Sequence, residues 1–104
     1  MDSRQLFIAT YHLSSIVKWQ SEWIHFGTGK EIQYELLNEY INIFLVDDDL
    51  NLIHTRTDSA PYKKGEIFNH INKFLGSTNF QLWNKSLDRV IKFDKIGVLL
   101  LGKK

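Results

Sequence analysis

The sequence predicts an α+β fold: a mostly antiparallel β-sheet with a C-terminal three-stranded meander, packed by two or three helices. Three observations carry this expectation. The β-rich runs 80–84, 89–93 and 98–101 follow one another with only brief turns between them. Two earlier segments gather apolar residues on one side at helical spacing. The chain has 104 residues, 43% hydrophobic and 13% aromatic, which suits a single domain over 1–104 with one core rather than a disordered chain.

Taken in order, residues 4–19 favour a helix. Leu6, Ala9, Leu13, Ile16, Val17 and Ile24 share one stripe, although Phe7, Ala9, Tyr11 and Leu13 also alternate as a strand would. Gly27-Thr28-Gly29 breaks the pattern. A second helix is expected over 30–40, with Thr28 or Gly29 as cap. Glu31, Glu35, Asn38, Glu39 and Asn42 fall on one side, and Ile32, Leu36, Leu37, Tyr40 and Ile43 on the other. The run 41–46 is rich in β-branched and aromatic residues and favours a strand, while helical period alone would carry the helix on to Phe44. Asp47-Asp48-Asp49-Leu50-Asn51 reads as a turn, because aspartate bonds its own backbone. With a strand over 52–55, residues 41–56 become a hairpin. Asp58-Ser59-Ala60-Pro61 is expected as a loop. A further helix over 64–75 places Ile67, Phe68, Ile71, Phe74 and Leu75 together, with Gly76 beyond its end. The last strand, Val98–Leu101, is continuously apolar and should be covered on both faces.

With no cysteine, disulfides, thiol nucleophiles and zinc ribbons are excluded. No leader-like pattern and no apolar run near the roughly 20 residues of a membrane span is present, so a cytoplasmic domain without a membrane partner is expected. Gly29-Lys30 fails the phosphate-loop pattern, which requires glycine where Ile24 stands and Ser or Thr where Glu31 stands. The four histidines show no metal-ligand spacing. Asp47-Asp48-Asp49 lacks the glycine and bidentate glutamate of a calcium loop, so it reads as an acidic turn, and no metal or cofactor is expected. His54 with Asp58 resembles a general base with an orienting acid, but no nucleophile or oxyanion donor is visible beside them, so an enzyme is not expected.

Charge is divided along the chain. Residues 1–50 carry eight acids and three bases, a balance of −5; residues 51–104 carry four acids and ten bases, a balance of +6. The basic half raises a nucleic-acid reading, with Lys92 and Lys95 among its phosphate contacts and Phe80 or Trp83 as stacking platforms. Only two of its ten bases are Arg and no aromatic RNA-binding motif appears, which disfavours direct nucleic-acid binding. In the acidic half, Glu31, Glu35 and Glu39 repeat at i, i+4, i+8, a row that repels itself unless it meets a cation. Asp47, Asp48 and Asp49 extend the negative field, and Tyr34 and Tyr40 are candidate anchors for a basic protein. A solvated helix face is the plainer alternative.

The size, the absence of cysteine, the ending of helix and meander, and the stretch Asp88-Arg89-Val90-Ile91-Lys92-Phe93-Asp94-Lys95-Ile96-Gly97-Val98 resemble small bacterial immunity proteins, especially those of contact-dependent growth inhibition. The resemblance implies a non-catalytic cytoplasmic inhibitor. Its partner would be a cognate toxin C-terminal domain, often a nuclease, whose active or substrate-binding site it occludes. A nuclease cleft is basic, and the acidic row would mimic its substrate.

Overall fold

The structure, a computed structural model, describes residues 2–104. Helix α1 (Ser3–Leu13) opens with a capping box: the Asp2 carboxylate accepts the Gln5 N–H at 2.8 Å, and the Gln5 side-chain carbonyl accepts the Asp2 N–H at 3.1 Å. It ends earlier than the expected 4–19. Ser14 and Ser15 turn their hydroxyls onto the carbonyls of Tyr11 and His12, and the chain then leaves for a short strand, β1 (Lys18–Trp19). Strand β2 (Ile24–His25) follows.

The second helix begins later than the sequence suggests. Gly29–Glu31 forms a 3₁₀ turn, Ile32 is extended, and α2 runs Tyr34–Phe44. The break is built by a close backbone approach. Gly27 has φ +94°, and a Cβ there would lie 2.5 Å from the Glu31 carbonyl oxygen; Gly97 has φ +89° and would meet the Gly27 carbonyl at 2.7 Å. The N–H groups of Phe26 and Gly27 both donate to the Gly97 carbonyl, so this crossing fastens the start of α2 to the last turn of the sheet.

The expected strand over 41–46 is instead the end of α2. Leu37, Ile41 and Leu45 recur at helical spacing and are fully buried, and that burial outweighs the β preference of the run. The hairpin consequently lies further along, as β3 (Asp49–Thr55) and β4 (Asp58–Lys63), with Arg56-Thr57 at its tip. Residues 58–61, expected as a loop, are the first four residues of β4. Pro61 is accommodated because β4 is an edge strand. The edge is guarded from α1: Ser59 N–H donates to Ser3 Oγ at 2.9 Å, and that hydroxyl donates to the Arg56 carbonyl at 2.8 Å. The third helix is also shorter than 64–75. A 3₁₀ turn at Lys64–Glu66 leads into α3 (Ile67–Ile71), and turns carry the chain onward.

The meander is as expected: β5 (Phe80–Asn84), β6 (Arg89–Asp94) and β7 (Val98–Lys103). All strand pairs are antiparallel, in the order β1-β7-β6-β5-β3-β4, with β2 in line with β1 on the same edge of β7. Both faces of the sheet are covered. One face carries the register row Leu52–Leu82–Ile91–Leu101, over which α2 and α3 pack with Phe26, Ile41 and Ile71. The opposite face buries Ile53, Trp83 and Val90 beneath Leu6 and Val17. Strand β7 is buried along Val98–Gly102, as a doubly covered strand must be.

Candidate functional site

The acidic residues singled out from the sequence occupy three different settings. Glu31 is exposed in the 3₁₀ turn ahead of α2, so the i, i+4, i+8 row does not lie on a single helix. Glu35 and Glu39 stand one turn apart on α2, both exposed and neither in an ion pair among the described residues. The helical stripe continues from them to Ile43, which is 67% exposed, and Val46, just past the helix end, is 63% exposed. Ile43 was expected on the apolar side. The buried stripe of α2 is centred on Leu37, Ile41 and Leu45, which turns Ile43 to the opposite face. Ile43 and Val46 are therefore the residues that sequence reasoning missed, and the helical phase set by the buried stripe is the signal that could have found them.

Tyr34 sits at the first position of α2, 47% exposed, its ring edge-on to Phe68 at 6.1 Å between centroids. With Gln33, Glu35, Leu36 and Glu39 it borders an open depression of about 510 Å³. Tyr40 is different: it is half-buried against the main core and contributes to packing. At the far end of the helix, Arg89 Nη1 donates to the Phe44 carbonyl at 3.2 Å and its guanidinium lies 5.4 Å from the Phe44 ring. A cation is thus fixed where the helix dipole is negative, leaving the outer face of α2 acidic toward its start and apolar toward its end.

Two of the three aspartates, Asp47 and Asp49, engage their carboxylates in holding the fold. The Asp47 carboxylate accepts the Lys85 N–H at 2.9 Å, tying the start of the hairpin to the β5–β6 turn. Asp48 is exposed, and its carbonyl accepts the Lys64 N–H at 2.7 Å. Asp49 pairs with Lys63 across β3 and β4 at 2.9 Å. That hydrogen bond holds the Asp49 carboxyl below its ordinary range and raises the Lys63 ammonium above its own. Among the described residues no group of three or more His, Asp or Glu side chains is placed to hold a metal ion.

The basic half does not form one stacked surface. Phe80 and Trp83, expected as stacking platforms, are buried, and on opposite faces of the sheet. Lys63 is paired with Asp49, and Lys92 lies over the rings of Trp19 and Trp23 at 5.8 and 5.9 Å. Lys85 and Lys95 stand in turns at opposite ends of the meander.

His54 and Asp58 are brought together as the sequence suggested. Nδ1 of His54 lies 3.0 Å from the Asp58 carboxylate, across the hairpin tip, and the imidazole lies tilted against the Phe74 ring at 4.3 Å between centroids. Asp58 thereby orients the ring. The hydroxyls of Thr10 and Ser14, which line the same cleft as His54, donate to carbonyls of α1, so neither is held as a nucleophile against the imidazole.

Among the described residues no helix is long and apolar enough to cross a membrane. Comparison of the chain with protein-family models, with curated proteins and with solved structures gives no match. The likeness to immunity proteins therefore rests on the sequence features alone.

Proposed function

We propose that this protein is a binding inhibitor that meets a basic protein surface with the outer face of α2. Its partner is the cognate toxin domain of a contact-dependent growth inhibition system, whose active or substrate-binding site it covers. The observation that carries the reading is the stripe Glu35–Glu39–Ile43 on an exposed helix face, flanked by Tyr34 and Val46. Two carboxylates without a cation partner among the described residues raise the encounter rate with a basic cleft, and the adjoining exposed apolar side chains supply area that is worth burying. A nuclease cleft, built for a polyanion, has the complementary charge. The face uses no bond-making chemistry, in keeping with an inhibitor that acts by occlusion.

The test is the association kinetics of the protein with the toxin domain encoded beside its gene. The Glu35→Gln/Glu39→Gln double variant is expected to lower the association rate about tenfold at low salt, with the difference shrinking as salt rises. Ile43→Ser is expected to act on the dissociation rate instead. Rates unchanged in both variants remove this face from the mechanism. Binding abolished by reversing Lys85 and Lys95, with the α2 variants silent, assigns the inhibitor's contact to the meander.

A further inference from the structure

A second surface, on the α1 side of the sheet, has a chemistry of its own. Between α1 and strands β5 and β6 lies a cleft of about 150 Å³. Its apolar walls include Phe7, Tyr11 and Ile53. A space of this size in an apolar wall suits a single six-membered ring.

The polar lining is biased toward donors. Asn79 lines the cleft, and its side-chain oxygen is already occupied by the Lys95 N–H at 2.7 Å; Gln81 lines it too, and its oxygen accepts the indole N–H of Trp83 at 2.9 Å. The amide nitrogens of both are left without a protein acceptor among the described residues. Thr10 and Ser14 spend their hydroxyl protons on α1 carbonyls. Lys92 completes the lining and has no carboxylate partner among the described residues; its charge is steadied only by the faces of Trp19 and Trp23. No Asp or Glu lines the cleft, and the Asp58 carboxylate nearby is bonded to His54. An apolar slot bordered by two free amide donors and one unpaired ammonium lacks an acceptor that carries negative charge.

We propose that this cleft binds a small carboxylate bearing a single ring, with the ring against Phe7, Tyr11 and Ile53 and the carboxylate on Lys92, Asn79 and Gln81. The site is independent of α2 and of any toxin. Benzoate is the probe, followed by NMR on the full chain, with benzyl alcohol (ring without charge) and acetate (charge without ring) as controls. Benzoate is expected to saturate with a Kd of about 1 mM, shifting the Asn79 and Gln81 side-chain amides, and both controls to bind at least about tenfold more weakly. Lys92→Met is expected to weaken benzoate about tenfold and leave benzyl alcohol unchanged, while Lys92→Arg retains benzoate. Should Lys92→Met unfold the protein, Lys92→Gln serves in its place. Equal binding of benzoate and benzyl alcohol, indifference to loss of the Lys92 charge, or shifts centred away from the cleft would each overturn the assignment.

Discussion

The two faces of the sheet are unequally built. The face under α2 and α3 buries sixteen apolar side chains in one cluster, including the stacked pair Phe80–Phe93 at 4.5 Å. The face under α1 buries five, and its remaining contacts are partly exposed residues such as Phe7, Leu13 and Trp19. Cohesion therefore resides mainly on the first face, while the second leaves room for clefts. Leu82→Ala, at the centre of the thick face, is expected to cost about 4 kcal/mol in urea unfolding followed by tryptophan fluorescence. Leu6→Ala, beneath α1, should cost about 2–3 kcal/mol, because a helix at the margin relaxes into the space more readily. Equal costs would break the distinction between the faces.

The legible parts of the fold were those fixed by local pattern. The meander could be read because each strand is short and each turn is close, and β7 because an unbroken apolar run has no solvent face. The region 41–63 could not be read in the same way. Ile41 and Phe44 suit a strand by propensity, and only the burial of Leu37, Ile41 and Leu45 against the sheet decides for helix. Pro61 signals a loop until one knows that β4 ends the strand order among the described residues. Part of the candidate site was legible: Glu35, Glu39 and Tyr34 are exposed on α2. Glu31 left the row because the Gly27–Gly97 crossing delays the helix, a contact between segments some seventy residues apart that no spacing rule contains.

A smaller effect tests how firmly α1 belongs to the thin face. Asp2→Ala removes the carboxylate that accepts the Gln5 N–H in the capping box and should cost about 1 kcal/mol. Because α1 also supplies the Ser3 hydroxyl that guards β4, amide exchange should quicken at Ser59 together with the first turn of α1. Quickening confined to α1 would show that the edge is protected without it.

The smallest expected effect concerns charge on the thin face. Asp49 and Lys63 share that face with Asn51 and Pro61, and their carboxyl and ammonium groups meet in solvent. Asp49 is held below its ordinary value of 3.8, so its contribution is present above that value and is lost as pH falls through the lower folded value. Lys63 is raised above 10.5, so its contribution is complete below that value and is lost as pH rises through the raised one. Between these limits the pair is constant, and an exposed pair adds little to stability. Lys63→Met should therefore return the Asp49 carboxyl titration toward its ordinary value, measured by NMR, while leaving the urea midpoint at neutral pH nearly unchanged. A loss of stability matching that of Leu6→Ala would mean that ionic contact, rather than apolar burial, holds the thin face together, and the contrast between the faces would then be one of kind rather than of amount.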